Sequence, residues 1–442
     1  MAASEPGDLV TAKSIIGQRK KYPDILIDPT ALRPRIIASM LLHAVGDTLG
    51  YRNGLWEFNE REAPYGMTEE HRVEYEKTRY DPNITKDRVY EFLELGGINN
   101  IDLTGWKVSD DAVLNLATAQ AFLTHLGNPK RTNKNDMELF CDTLVEEYVK
   151  QLPNLMGRHI GITTQQVLEQ YKAGETWRDN HPVRLNEVKG AGNGAAIRTI
   201  PIGLVLFAES ERESLVIMAL EASRVTHNHP IGYLGGICAA LFTAFAIEGR
   251  PIESWYPEMH KVLRAPGDNS PLRKYLARTS GLKEYDRDSV QWWAQWETYT
   301  QAFAHGSEYK NRVGNDPVAR IKWFRDHLGF RFGSTGFVGR GGHDSVIIAY
   351  DSLVRTVKSG CGWEKLIYLA ALHSGDSDST GCIAGAWYGA MFGIGGVPAN
   401  MLRHLEYREH LEDLGSSLSD MVEEIYLGKK PKKQDLEKRK RQ

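Results

Sequence analysis

The stretch His373-Ser374-Gly375-Asp376-Ser377-Asp378-Ser379-Thr380-Gly381-Cys382-Ile383-Ala384-Gly385 places two carboxylates around one serine, directly before a run of small and apolar residues. Ser and Thr ahead of such a run predict the start of a helix. Acidic residues are favoured there on structural grounds alone, because the N–H groups of a helix start attract negative charge. The alternative is a divalent-cation site with Asp376, Asp378 and Ser379 as oxygen ligands. A second oxygen cluster elsewhere in the chain would favour the cation site.

A second acidic stretch, Ser109-Asp110-Asp111, opens a strong helical pattern with Ser109 at the N-cap position. As candidate ligands the two stretches together offer four carboxylates and the hydroxyls of Ser109 and Ser379. Four carboxylates brought close together would repel one another, and several would take up protons. A pair of Mg²⁺ or Mn²⁺ ions relieves that repulsion and prefers an all-oxygen ligand set. Periodicity and spacing do not show whether the two stretches meet, so each remains either a helix cap or half of a metal site.

The remainder of the chain predicts an all-α fold, since apolar residues recur at helical spacing and alternating strand patterns are almost absent. We expect one compact multi-helix domain over residues 35–428, between a flexible polar extension (1–34) and a flexible basic tail (429–442). Helices are predicted from Ile36 to about Val45, from Val113 onward, and over 137–151, 213–226, 233–248, 344–354 and 407–427. Residues 51–105 read as a loop, 154–189 as mixed and turn-rich, and the tryptophans at 292, 293 and 296 as core.

Composition is that of an ordinary soluble globular protein, with 442 residues, 41% hydrophobic and 25% charged. A net charge of -3 gives no general reason to expect nucleic-acid or membrane binding. Four cysteines without a C-x-x-C spacing favour a reducing compartment and argue against a zinc-thiolate site. No signal-peptide pattern and no run near roughly 18 to 20 apolar residues is visible. We expect a cytoplasmic protein, with nuclear entry through the basic tail as the alternative to a solvated charge run.

Seven short motifs follow one another along the chain: Gly46-Asp47-x-Leu49-Gly50, Trp56-Glu57-Phe58, Val108-Ser109-Asp110-Asp111, Gly192-x-Gly194-Ala195-Ala196-x-Arg198, Thr226-His227-x-His229-Pro230-x-Gly232-Tyr233-Leu234-Gly235, Gly342-His343-Asp344 and Gly375-Asp376-Ser377-Asp378-Ser379-Thr380. In this order they resemble the motifs of the ADP-ribosylhydrolase family. The likeness is nearest to the ADP-ribosylarginine hydrolases, chiefly through Trp56-Glu57-Phe58 and the stretch from His227 to Gly235.

The resemblance implies a single all-α domain, expected to be monomeric, with two Mg²⁺ ions (Mn²⁺ in bacterial relatives) at the base of a cleft for ADP-ribose. It implies ADP-ribosylated proteins as partners and ADP-ribose as product, with cleavage of an N-glycosidic bond to arginine. Its metal ligands would be Ser109, Asp110, Asp111, Asp376, Asp378 and Ser379.

The resemblance also implies catalytic and substrate-binding residues. Asp110 or Asp111 would act as the general base or pass a proton to the leaving guanidine, and Glu57 would gate or orient the substrate, unless it is simply an exposed loop acid. Gly192, Asn193 and Gly194 would hold the diphosphate or a ribose, or form only a tight turn. His227 would reach the phosphates or ribose, or make a structural hydrogen bond. A loop including Ser334, Phe337 and Gly339 would border the adenosine, with Phe337 stacking on adenine.

Other functions stay open on the sequence alone. Within the same enzyme class the substrate could be ADP-ribosyl-serine, O-acetyl-ADP-ribose or poly(ADP-ribose). A non-catalytic ADP-ribose-binding protein is a second class. A zinc hydrolase site at His227-x-His229 and His343-Asp344 is a third, which lacks a third ligand at a recognisable spacing.

Overall fold

A computed structural model describes residues 29–57, 83–128, 136–177, 190–265, 269–279, 281–304, 313, 316–328 and 338–428. The proposed basic tail and all of the N-terminal extension up to residue 28 lie outside this part. Eighteen α-helices occur within it, numbered in chain order: α1 Pro29–Tyr51, α2 Ile84–Glu94, α3 Gly97–Asn100, α4 Asp110–Leu126, α5 Asp136–Leu155, α6 Ile162–Lys172, α7 Ile200–Val205, α8 Arg212–Arg224, α9 Pro230–Ile247, α10 Trp255–Leu263, α11 Pro271–Arg278, α12 Leu282–Ala304, α13 Pro317–Leu328, α14 Asp344–Ser359, α15 Trp363–Ala370, α16 Ser377–Phe392, α17 Asn400–Arg403 and α18 Arg408–Leu427.

The described residues contain no β-strand, and the predicted all-α class is confirmed. Short 3-10 turns join some of the helices, such as Arg52–Gly54 after α1 and Asn193–Ala195 before α7. One isolated antiparallel bridge joins Gly192 to Gly341.

Helix α1 crosses α16 with backbone against backbone, which is the contact that shapes the domain. A Cβ atom on Gly46 would lie 2.1 Å from the Gly381 carbonyl oxygen, and one on Gly385 would lie 2.2 Å from that of Leu42. Further along, a Cβ on Gly50 would lie 2.3 Å from the Ser377 carbonyl oxygen. Only glycine permits these approaches. They bring the C-terminal end of α1 beside the start of α16.

Helix α9 runs through the centre of the domain, and each of its residues is buried. It is long and apolar enough by composition to span a bilayer, contrary to the expectation that no such run exists, but its whole length is covered by the fold. Its Phe242 ring lies 5.3 Å from each of Trp255, Tyr350 and Trp387. Buried aromatic contacts of this kind contribute beyond their area. The tryptophans 292, 293 and 296 belong to the same core, as expected.

Several predicted boundaries were wrong. Helix α1 begins at Pro29 and continues to Tyr51, through Gly46 and Gly50, whereas the apolar pattern predicts an end near Val45. Those glycines continue the helix because α16 packs on them. The predicted loop 51–105 contains α2 and α3. Helix α2 buries Phe92 while exposing Tyr90 by 64% and Leu93 by 53%, so its apolar residues do not mark a single face. The mixed region 154–189 contains α6.

Candidate functional site

The start of α4 carries three of the predicted site residues, and all three are buried. Ser109 caps the helix, its hydroxyl oxygen accepting a hydrogen bond from the Asp111 amide at 3.1 Å. The Asp110 amide donates to the Arg158 carbonyl oxygen at 3.2 Å. Both aspartates lie in the first turn, as their sequence predicted, where the helix dipole favours negative charge.

The start of α16 carries the other three predicted ligands. Asp376 is the N-cap residue, and its amide donates to the Val338 carbonyl oxygen at 2.8 Å. Asp378 Oδ1 accepts the Ser379 amide at 2.8 Å. The predicted helix start is therefore present, although the Asp376 side chain makes no capping hydrogen bond. The residues that lie opposite distinguish it from an ordinary helix start.

The two helix starts face each other. Ser379 Oγ on α16 donates to Asp111 Oδ2 on α4 at 2.6 Å, joining residues 268 positions apart. Helix α1 adds Asp47, whose carboxylate accepts the Ser109 amide at 2.8 Å and the Ser109 hydroxyl at 2.5 Å. One carboxylate oxygen each from Asp47, Asp111 and Asp378 lie within 4.8 Å of one another.

A second group of three carboxylates adjoins the first. Glu57, Asp376 and Asp378 each offer an oxygen within 4.8 Å of the others, so Asp378 belongs to both groups. Asp376 Oδ1 is buried and has no hydrogen-bond partner in the described part of the chain. A buried oxygen of this kind normally has a partner. Two adjoining all-oxygen groups with a shared carboxylate fit a pair of Mg²⁺ or Mn²⁺ ions. We call these residues the acidic centre: Asp47, Glu57, Asp110, Asp111, Asp376 and Asp378.

Burial is the main influence on the charge of the acidic centre. It raises the pKa of Asp47 to about 7 and that of Glu57 to about 7. Burial, followed by the charge of neighbouring carboxylates, raises the pKa values of Asp110, Asp111 and Asp378 well above their usual range. Without cations the centre therefore holds protons near neutral pH. Divalent cations in contact with the carboxylates would displace those protons.

Asp110 differs from its neighbour Asp111 in its surroundings. Its carboxyl group accepts the backbone N–H of Gly161, and it belongs to neither group of three carboxylates. Asp111 instead lies in the first group and accepts the Ser379 hydroxyl. Asp111 is thus placed where it could bind a metal ion, whereas Asp110 lies outside both groups of three carboxylates.

Glu57 lies in a short segment after α1 and is buried, 7% exposed, so the alternative of an exposed loop acid is wrong. Its Oε2 lies 2.7 Å from Nδ1 of His159, a residue that the sequence did not single out. The preceding residue, Trp56, fixes the segment, since its indole N–H donates to Glu91 at 2.7 Å and its ring is buried.

The glycine-rich loop of Gly192, Asn193 and Gly194 packs against the acidic centre. The Asn193 side-chain amide donates to Asp376 Oδ2 at 3.0 Å and to the Gly339 carbonyl oxygen at 2.8 Å. Its backbone N–H donates to the Arg340 carbonyl oxygen at 2.9 Å, so that donor is engaged within the protein rather than aimed at a phosphate. The direct contribution of Asn193 is to hold Asp376.

His227 lies beneath this loop, and it is 4% exposed. Its Nδ1 is 2.8 Å from the Thr226 hydroxyl, and a Cβ on Gly194 would lie 2.7 Å from its ring. Burial, with the nearby charge of Arg198, lowers the pKa of His227 to about 3, so the imidazole is neutral. His227 therefore makes the structural hydrogen bond given above as the alternative to a substrate contact. A side chain at position 194 would collide with the His227 ring, so glycine is required there.

Of the predicted adenosine loop, Ser334 and Phe337 lie outside the described residues. Gly339 lies within them, at φ +88°, a left-handed conformation that favours glycine. Its amide donates to Asp344 Oδ2 at 2.7 Å. Gly339 thus links Asp344 to Asn193 at the edge of the acidic centre.

The histidines of the zinc alternative are not assembled into one site. His229 caps α9 through its Nδ1, which accepts the Ile231 amide at 3.1 Å. His343 Nε2 is 2.8 Å from the Leu328 carbonyl oxygen. The groups that could hold a metal among the described residues contain carboxylates alone.

The family profile of the ADP-ribosylglycohydrolases matches residues 28–428, which covers nearly all of the chain. This chain belongs to the ADP-ribosylglycohydrolase family. It is therefore a hydrolase of ADP-ribosylated substrates, and its resemblance to the family is confirmed.

Individual relatives agree with this assignment. The chain is 30% identical over 414 residues to an ADP-ribosylhydrolase of Dictyostelium discoideum, covering 88% of this chain and 95% of the relative. It is 32% identical over 385 residues to a putative ADP-ribosyl glycohydrolase of Acanthamoeba polyphaga mimivirus, covering 85% of this chain and 68% of the relative. A solved structure titled as an ADP-ribosylglycohydrolase-related protein complex is similar in fold, with a TM-score of 0.52, 18% identity, and coverage of 89% of this chain and 99% of that one.

Two residues of this family member, Asp47 and His159, were missed as candidates, and a third, Asn193, was expected in a different role. Asp47 stands in a quoted motif, Gly46-Asp47-x-Leu49-Gly50, and an acid between helix-packing glycines was the available signal. Asn193 was expected at a phosphate rather than at Asp376. His159 had no sequence signal, because the contact with Glu57 spans 102 residues.

Proposed function

We propose that this protein removes ADP-ribose from ADP-ribosylated arginine side chains of proteins, using two divalent cations. Mg²⁺ is the first choice and Mn²⁺ the alternative. The observation that carries the proposal is the pair of carboxylate groups that share Asp378. They are built from the starts of α4 and α16, the end of α1 and the short segment that follows α1. When bound, the cations would hold the ribose hydroxyls and acidify a water molecule.

The acidic surroundings suit an arginine-linked substrate. The leaving group is a guanidine, which becomes a guanidinium cation when it takes up a proton, and carboxylates stabilise such a cation through paired hydrogen bonds. Among the acids of the centre, Glu57 lies in the short segment that follows α1, apart from the starts of α4 and α16. The motif Trp56-Glu57-Phe58 that resembles the arginine hydrolases supports the same choice.

The proposed reaction is hydrolysis at C1 of the ribose. A water molecule attacks C1 while the bond from C1 to the guanidine nitrogen breaks, and positive charge develops on the sugar ring, as in other glycoside hydrolyses. Asp110 accepts the proton of the water, since its carboxyl group lies outside both groups of three. Glu57 orients the guanidine, which takes up the proton of the water from Asp110 and leaves as guanidinium. The products are ADP-ribose and unmodified arginine.

One assay tests the proposal against its alternatives. Peptides carrying ADP-ribosyl-arginine or ADP-ribosyl-serine are incubated with the protein in Mg²⁺ or in excess chelator, and free ADP-ribose is measured. The variants Asp111→Asn and Asp378→Asn are compared with Asp413→Asn, an exposed aspartate of α18. We expect arginine-linked release that requires Mg²⁺, falls at least about a hundredfold in the first two variants and is unchanged in the third.

Each other outcome has a definite meaning. Release that survives both chelation and the two substitutions would refute the metal-assisted mechanism. Release from the serine peptide alone would replace arginine as the substrate. ADP-ribose binding without release from either peptide would indicate a non-catalytic reader of the modification.

A further inference from the structure

His159 occupies an unusual position at the edge of the acidic centre. Its side chain is 51% exposed, whereas Glu57, which it contacts, is 7% exposed. The contact joins Nδ1 to Oε2 at 2.7 Å, a good hydrogen-bond length. His159 therefore lies between the buried carboxylates and the solvent.

The backbone of His159 is left-handed, with φ at +58°. Few residues other than glycine adopt this conformation, and histidine and asparagine are among those that do so most readily. In this conformation two neighbouring backbone groups form hydrogen bonds with Asp110. The Arg158 carbonyl oxygen accepts a hydrogen bond from the Asp110 N–H, and the Gly161 N–H donates one to the Asp110 carboxyl group. The segment from Arg158 to Gly161 thus holds Asp110 through its backbone and Glu57 through a side chain.

The imidazole of His159 is packed as well as hydrogen-bonded. The Tyr51 ring meets it edge-on at 5.4 Å between centroids. A Cβ on Gly54 would lie 2.7 Å from its Cε1 atom, so the ring lies directly over Gly54, which is itself at φ +85°. The ring orientation is therefore determined on three sides.

Glu57 needs such a support because its neighbours repel it. Its carboxyl group lies within 4.8 Å of the oxygens of Asp376 and Asp378, and Arg340, which is exposed, attracts it electrostatically. Buried Trp56 fixes the backbone next to Glu57 but not its side chain. Where no cation offsets this repulsion, the acidic centre would push an unsupported carboxylate outward.

We propose that His159 is a positioning residue for the reaction, holding the Glu57 carboxyl group through Oε2 so that the remaining oxygen, Oε1, is presented to the leaving guanidine. This inference rests on the proposed function. It assigns no contact between His159 and the substrate. Displacement of a catalytic group by about 1 Å can cost about a hundredfold in rate, so the effect of losing the imidazole is measurable.

The test compares three variants of the full-length protein that separate the hydrogen bond from the backbone conformation. His159→Gly removes the imidazole and accepts the positive φ without strain. His159→Asn also tolerates the positive φ and offers a side-chain N–H near the position of Nδ1. His159→Gln is of similar size to histidine but places its amide near the position of Nε2.

Steady-state kinetics on the arginine peptide with Mg²⁺ and thermal unfolding are measured for all three. We expect His159→Gly to lower kcat about ten- to a hundredfold with little change in KM or melting temperature. We expect His159→Asn to recover most of kcat and His159→Gln to recover little. Equal losses in the Gly and Asn variants, or loss of melting temperature in step with kcat, would overturn the proposal in favour of a structural role for His159.

A double substitution shows whether His159 acts through Glu57. In a Glu57→Gln background, His159→Gly is expected to lower kcat by less than about twofold further, because the residue it positions is already altered. Full additivity of the two effects would overturn the proposal.

Failure of the proposed function can be told apart from failure of the positioning role of His159. If the wild-type protein releases ADP-ribose from the serine peptide instead, the same variants are measured on that substrate and decide the role of His159 there. If it releases ADP-ribose from neither peptide, crystal structures of the wild-type and His159→Gly proteins decide. A displaced Glu57 carboxyl group in the variant supports the positioning role, and an unmoved one overturns it.

Discussion

Replacing Asp47 by Asn is expected to have an effect on stability that changes with pH in the metal-free protein. The pKa of Asp47 is raised by burial from 3.8 to about 7. A carboxyl group raised in this way favours the folded state fully below its ordinary pKa, and this contribution is lost as the pH rises through the folded value. Asparagine carries no such charge. The variant should therefore gain stability relative to the wild type as the pH rises from about 5 to about 8.

The size of the effect follows from the pKa values. Between pH about 5 and the folded pKa of about 7 there are roughly 2 pKa units, each worth about 1.4 kcal/mol, or roughly 3 kcal/mol in total. For a chain of this length that corresponds to about 3 to 4 °C in melting temperature. Buried histidines titrate in the opposite sense, as for His43, whose pKa burial lowers to about 4. They are common to both proteins and cancel in the difference.

The measurement is thermal unfolding of wild type and Asp47→Asn in chelator at the two pH values, repeated in Mg²⁺. The difference between the two proteins should move by about 3 to 4 °C in favour of the variant between the lower and the higher pH. Mg²⁺ should reduce that shift, because cations compensate the ionised carboxylates. Asp413→Asn is the matched control and should show no shift. A difference that is the same at both pH values, or that moves in favour of the wild type, would refute this account of the acidic centre.

Three further outcomes are expected. Gly46→Ala should destabilise the domain by about 3 kcal/mol or more in denaturant unfolding, because its Cβ would lie 2.1 Å from the Gly381 carbonyl oxygen; a change below about 0.5 kcal/mol would show that the helices can separate. Ser379→Ala should weaken Mg²⁺ binding about tenfold or more by calorimetry, since its hydroxyl contacts Asp111, and unaltered affinity would remove Ser379 from the site. Arg158→Met should lower the free energy of unfolding by about 2 kcal/mol in urea, because the Arg158 guanidinium donates twice to Glu406 at 2.8 Å and once to the Val108 carbonyl oxygen at 2.7 Å. The control Glu412→Gln, which alters an exposed ion pair, should cost under about 0.5 kcal/mol. An equal loss in both variants would contradict the prediction.

Residue pattern predicted helices α8, α9 and α18 to within a few residues of their observed ends, and it placed both acidic helix starts correctly. Ser109 caps α4 through its hydroxyl, and Asp376 stands at the N-cap position of α16 without a capping side-chain hydrogen bond. Both positions could be predicted because a helix start depends on residues a few positions apart. The meeting of the two starts is a contact across 268 residues, between Ser379 and Asp111. Local spacing carries no information about such a distance, and the expectation came from resemblance to a family.

The errors in the predicted fold have a related origin. The apolar pattern predicts that α1 ends near Val45, whereas the helix continues through Gly46 and Gly50 because α16 packs its backbone against them. Intrinsic helix propensity, which disfavours glycine, was overridden by tertiary contact. Asp47, between those glycines, was missed as a member of the acidic centre for the same reason, since its environment is supplied by Ser109 from another helix.

The glycine contacts between α1 and α16 also bear on how new substrate preferences can arise in this scaffold. Backbone contact determines the spacing between Asp47 and the start of α16, so few substitutions there are tolerated. The segments 52–57 and 156–162, joined by the contact between Glu57 and His159, lie at the edge of the centre and include exposed side chains such as Leu55, Met156 and Ile162. A library that randomises these exposed positions and keeps the glycines would explore recognition of the modified protein while leaving the hydrolytic centre intact.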